Sequence, residues 1–306
     1  MKMTSGWLIL MALTAIGFGP HTPARGRTQN PTVSPTPLTR QYREGERLVY
    51  RMTASNRDRV RTTVYAATAR GVVKRNSAGI FYEEYEWFDI VWNGAPFELP
   101  AANREFRQLL SLAPNYTPTL PDFSRLHPRL VGPTADLMTF YSDVWLATRQ
   151  PALRQAGDRV RVRHGDASSW ADGTRIVLGE DSIDFDIALG EASITTGTRE
   201  LTVRHVPPDQ PKIRIPADWM RAAVADVPNN WVQVTKLAEG RYIASVGKEA
   251  FDAQIRLSVA SGKIVSAGLE NPVEVFEREC KDEALTQCGD GTRYQILRQI
   301  QIADIP

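Results

Sequence analysis

Cysteine is nearly absent: Cys280 and Cys288 are the only two thiols in 306 residues. Two thiols do not fill a tetrahedral zinc site, and no C-x-x-C redox pair is present. A structural disulfide remains, and it implies an oxidising compartment. Histidine is also scarce, with His21, His127, His164 and His205 at spacings that suit no metal site. There is no H-E-x-x-H and no G-x-S-x-G elbow. Ser245 and Lys248 match S-x-x-K, but the match lies in a strand pattern with Gly247, and no K-T-G accompanies it. A Ser-His-Asp set assembled in space would leave no such trace. A charge surplus is missing as well, since 37 Lys and Arg face 35 Asp and Glu. A nucleic-acid binder draws its affinity from neutralising phosphates and carries a basic excess, so that class is disfavoured. No metal and no cofactor is expected.

Long apolar runs are absent except at the start. Trp7 to Gly19 is uninterrupted, follows Lys2, and is shorter than the roughly 20 residues of a membrane-spanning helix. It reads as a signal peptide over residues 1–26, with the small residues Ala24 and Gly26 allowing cleavage after Gly26. No cysteine follows the run, so no lipid anchor forms there. Residues 27–40 continue a Pro-rich stretch with little to bury, and are expected to be a disordered linker. The expectation is one β-rich domain over 41–306, exported to the periplasm or beyond, without a transmembrane segment after export.

Alternation of apolar and polar residues dominates that domain. ERLVYRMTAS, RVRTTVYAATAR and GIFYEEYEWFDIVWNG predict successive strands, and a meander of short strands closes the chain. Within that meander a turn is expected at Glu270-Asn271. NPVEVFEREC and TRYQILRQIQI form a hairpin whose mouth a Cys280–Cys288 bond would clip. Helical periodicity occurs over 101–112 and over 134–148, the latter starting at Gly132-Pro133. Residues 216–226 predict a third, short helix behind Pro216. The fold class is mainly β with a helical insert (α+β): a curved antiparallel sheet or partly open β-barrel packed by two to three helices.

In layout, the opening YREGERLVYRMTA, the helical insert and the closing hairpins resemble an uncharacterised family of exported bacterial β proteins. More distantly they resemble the lipoprotein-carrier half-barrels of the LolA type. The resemblance runs over 41–306 without a diagnostic motif. It implies a protein that holds an acyl chain between sheet and helices.

The candidate site residues follow from the aromatics. On the strand around residues 80–92, Tyr82, Phe88 and Trp92 share one face with acids, and aromatics and acids also share the other. An ordinary half-exposed strand is apolar on one face only. One face would line an apolar cavity, unless a bulge shifts the register. Phe140, Tyr141 and Trp145 on the 134–148 helix would cover it. Asp184 and Asp186, two apart on a strand, suit a glycosidase pair, and otherwise a solvated face. Arg159, Arg161 and Arg163, with Arg57, Arg59 and Arg61, suit an anion stripe, and otherwise cross-strand ion pairs. The function expected is an exported soluble binding or carrier protein for an apolar, lipid-like or amphipathic small molecule. The alternatives are a secreted hydrolase using clustered Asp residues and a cell-envelope interaction module.

Overall fold

The computed structural model describes residues 38–116, 121–163, 168–171, 175–179, 184–206, 231–237, 240–250, 252–282 and 285–305. Strands β1 (Arg47–Arg57), β2 (Thr62–Arg75) and β3 (Phe81–Trp92) form an antiparallel meander. Side chains of the turns fix it: Asp58 accepts the amides of Val60 and Arg61, and Asn76 those of Ala78 and Ile80. Asn93 and Gly94, both at positive φ, then turn the chain into β4 (Ala95–Phe97) on the edge of β3.

The 101–112 segment departs from its helical pattern. Only α1 (Ala101–Arg104) is helical, and β5 (Gln108–Leu110) pairs with β3. Gln108 and Leu110 point inward and Leu109 outward, so a period of two decides the short stretch. The open edge of β3 supplies the backbone partners that favour it. Helix α2 (Pro128–Thr148) begins earlier than its pattern suggested. Pro128 is pre-set for a first helical position, and His127 Nδ1 caps the Arg129 amide. Pro133 lies inside the helix, where it forfeits one backbone bond near the start. Among the described residues α2 is the only substantial helix, instead of two or three; residues 216–226 lie outside them.

The remaining strands are β6 (Arg159–Arg163), β7 (Ser168–Ala171), β8 (Arg175–Gly179), β9 (Asp184–Ser193), β10 (Thr198–Val206), β11 (Trp231–Lys236), β12 (Tyr242–Glu249), β13 (Asp252–Ser258), β14 (Ile264–Cys280) and β15 (Thr292–Asp304). The spine is the β14–β15 ribbon, and β15 also pairs with β1, joining the two ends of the described chain. The expected turn at Glu270-Asn271 is absent, because β14 runs straight through it for 17 residues. What changes there is the neighbour: β13 pairs with its first half and β12 with its second. Pro272 cannot donate to a ladder, and the interruption between β12 and β13 falls opposite it. From that point the sheet divides into β13–β10–β9–β6 and β12–β11–β8–β7. Its β4 and β7 ends are not paired with each other among the described residues, so the sheet is open and no barrel closes.

The inner face carries Leu48, Tyr50 and Met52 of β1, Tyr85 of β3, Leu201 of β10, Ile255 of β13 and Ile300 of β15, all buried. Helix α2 completes this core with Leu137, Phe140 and Val144. Fourteen of its 21 residues are buried, more than an apolar stripe provides, so polar side chains are enclosed as well. Packing starts ahead of residue 41: Leu38 and Arg40 are buried, and the Gln41 amide donates to Ser261. Gly262 lies beneath this crossing at positive φ, and a Cβ there would collide with the Thr39 carbonyl. At the far end Cys280 and Cys288 are bonded and pair as an isolated bridge, closing the mouth of the β14–β15 hairpin.

Candidate ligand-binding site

A bulge settles the two-faced aromatic strand. The register between β2 and β3 shifts between Ala66 and Thr68, and Asp89 adopts a positive φ of 49°. Glu83, Tyr85 and Trp87 therefore face inward, and Ile90 takes over beyond the bulge. Tyr82 and Phe88 sit half-buried on the outer face, where the Arg70 guanidinium lies 4.3 Å from the Phe88 ring. Trp92 stacks on Tyr65 at 5.7 Å. Phe140 and Tyr141 are in the core, and Trp145, half-buried, donates to the Tyr116 carbonyl at 3.1 Å. The six aromatics do not line one cavity: Tyr82 and Phe88 lie on the side of the sheet away from α2.

What does converge under α2 is a set of polar clasps. Glu83, fully buried, receives Arg40 Nε at 3.2 Å, the Tyr85 hydroxyl at 2.9 Å and the Tyr141 hydroxyl. Arg40 also binds Glu46 at 2.8 Å. Burial pushes the Glu83 carboxyl above its usual range, with Arg40 opposing, and the same burial raises the Tyr85 and Tyr141 phenols. One turn before Tyr141, Asp136 takes the Arg298 guanidinium and the Tyr65 hydroxyl. Two residues beyond Tyr141, Asp143 meets His205 Nε2 at 2.9 Å, and its second oxygen has no partner among the described residues. Burial raises the Asp143 carboxyl, His205 offsetting part of the shift. Glu83, Asp136 and Asp143 escaped the aromatic criterion. The acids of the strand were the only trace of Glu83 in the sequence, and Asp136 and Asp143 on α2 left none.

The hydrolase candidates are occupied elsewhere. Arg161 binds Asp184 at 2.9 Å and Asp186 at 3.5 Å across β6 and β9. Such pairing is the ordinary use of alternating charges on neighbouring strands. Ser245 hydrogen-bonds Glu277 on the adjacent strand, and His127 serves as a helix cap. His164 lies outside the described residues.

A cavity with room for a ligand lies on the opposite face. There β1, β15, β14 and β13 form the floor of an open groove of about 1180 Å³. Register places its side chains in three rows. Arg51, Ala303, Ser266 and Arg256 form the first, Thr53, Gln301, Gly268 and Gln254 the second. Ser55, Gln299, Glu270 and Asp252 form the third. Small residues in the centre leave the space. Arg51 donates to Thr68 at 2.9 Å and to the Asp89 carbonyl at 3.3 Å, both neutral acceptors, and Arg256, in register with Glu200 of β10, makes no ion pair among the described residues. No aromatic ring lines the groove.

No protein-family profile and no curated protein matches the chain. Two solved structures are weakly similar. One is MucB in complex with MucA(peri), at 12% identity over 83% of this chain and 88% of that one, with a TM-score of 0.15. The other is a loop-deletion mutant of OmpT, an outer membrane protein of Vibrio cholerae, at 10% identity over 85% and 98%, with a TM-score of 0.15. At those scores the likeness identifies no family. The chain stands as a large antiparallel β-sheet protein carrying one long helix.

Proposed function

We propose that this chain is an exported binding protein, acting in the periplasm or outside the cell, with a polar ligand held in the outer groove. The carrying observation is that neither groove arginine makes an ion pair among the described residues, whereas the neighbouring outer face of β2 and β3 is self-neutralised. There Arg70 binds Glu86 at 3.1 Å and Lys74 binds Glu84 at 2.6 Å. Charges left without counter-charges around an open cavity are placed for a ligand. The test is native mass spectrometry of the folded chain and of a Gly268→Trp variant. A Cβ at residue 268 meets only the Ile300 carbonyl, at 3.9 Å, so a large side chain there fills the groove without disturbing the core. Bound mass lost in the variant supports this reading, and mass retained by it points elsewhere.

A second reading keeps an amphipathic or lipid-like molecule between the sheet and α2, against Phe140, Tyr141 and Trp145. It is favoured by the clasps, because a helix held through charges and hydroxyls separates from a sheet with its polar partners already in place. Mass that organic solvent strips, and that Gly268→Trp leaves unchanged, supports this second site.

A further inference from the structure

We infer that the groove takes a short peptide with free ends, about four residues long and extended. The inference rests on the groove being the binding site and names its ligand class. Three features point there together.

The first is charge separation. Row one ends in Arg51 and Arg256, and row three holds Glu270 and Asp252. Asp252 is neutralised by Arg204 at 2.7 Å, and Glu270 receives only the Gln299 amide at 3.2 Å. Glu200 of β10 stands opposite Arg256 in register and lines the groove without an ion pair to it among the described residues, so this end keeps one net positive charge. One end of the groove is therefore left with spare positive charge and the other with a spare carboxylate. Rows one and three are four residues apart along each strand, roughly 14 Å at about 3.4 Å per residue. An extended tetrapeptide covers the same length, placing its carboxylate at the arginines and its ammonium at Glu270.

The second is the chemistry between the ends. Gln254, Gln299 and Gln301 each offer an amide donor and an acceptor, and Thr53 and Ser55 add hydroxyls. This set matches peptide bonds, which carry one donor and one acceptor apiece. The third is shape. Ser266, Gly268 and Ala303 keep the floor low along its middle, as a backbone lying flat on a sheet face requires. A sugar would ask for an aromatic platform, and none lines this floor.

The experiment is isothermal titration calorimetry of the folded chain with tetra-alanine in three forms: free at both ends, N-acetylated, and C-amidated. Each cap is expected to weaken binding at least tenfold. An Arg51→Gln/Arg256→Gln double variant should lose the sensitivity to amidation, and Glu270→Gln the sensitivity to acetylation. Equal binding of free and capped peptides overturns the assignment. If no peptide binds while a neutral oligosaccharide or another compound binds in a way that Gly268→Trp abolishes, the peptide assignment falls and the groove stands. If no bound mass at all is sensitive to Gly268→Trp, both fall.

Discussion

The same residue types meet two fates on the two faces of this sheet. Under α2, Arg40 and Glu83 are both below a tenth exposed, and they are locked to each other and to tyrosine hydroxyls. Across the sheet, Arg256 and Glu270 stand in solvent at opposite ends of a groove and make no ion pair among the described residues. Burial explains the difference. An ion removed from water must find partners within the protein, whereas an exposed one keeps its hydration and remains available. Inner charges therefore belong to folding, and the unpaired outer ones are those that the proposed ligand would meet.

The largest expected effect breaks the inner half of this comparison. Arg40→Met leaves Glu83 enclosed with hydroxyl donors but no cation. Stripping one partner from a buried pair costs about 3–5 kcal/mol, which urea unfolding would report as a lower midpoint at an unchanged slope. Adding Glu83→Gln should restore much of that loss, because the stranded charge disappears with it. A single variant as stable as the parent would mean that Glu83 does not depend on Arg40 as its counter-charge.

Next comes the disulfide, which belongs to neither region. Replacing Cys280 and Cys288 with serine frees a loop of nine residues, worth about 2.5 kcal/mol on the chain-entropy relation. Unfolding measurements should show that loss, while ligand affinity in the groove stays the same. A coupled change in both would show that loosening the β14–β15 hairpin is felt along the spine.

Acidity separates the regions more finely. Glu83 and Asp143 carry carboxyls raised by burial. A raised carboxyl favours the fold fully below its unfolded value, near 4.5 for Glu83 and 3.8 for Asp143. That contribution fades as pH climbs through the folded value. Asp143→Asn should therefore gain stability relative to the parent as pH rises from about 4 to about 7, read from paired thermal melts. An unchanged difference between the two curves would show that Asp143 is as ionised in the fold as out of it.

Much of the fold was legible in the sequence for local reasons. Period-two alternation and turn residues such as Asp58, Asn76 and Asn93 act within a few positions, so β1 to β3 and the paired cysteines could be read directly. What escaped depends on distant neighbours. Residues 108–110 took the strand state because the edge of β3 was free to pair, and β14 ran through Asn271-Pro272 because β15 supports it on the other side. The bulge at Asp89 turned Ile90 to the inner face while Tyr82 and Phe88 stayed on the outer one, and no residue in that strand announces it. The groove is a register effect: Arg51 and Arg256 are two hundred residues apart in sequence and share a row only through β15 and β14.

The smallest expected change in stability tests the outer half of the comparison. Arg51→Gln and Arg256→Gln remove charges that make no ion pair among the described residues, so unfolding free energies should move by less than about 0.5 kcal/mol. Arg70→Gln is the control on the same face. It breaks an exposed pair with Glu86, which is worth only about 0.2–1 kcal/mol. Stability alone will hardly tell the three apart, and that is the use of the set. Attraction between exposed charges weakens as salt rises, so binding through the groove arginines should weaken too. The salt dependence should shrink in Arg51→Gln and Arg256→Gln and persist in Arg70→Gln. If all three retain it equally, the uncompensated arginines are not what the ligand meets.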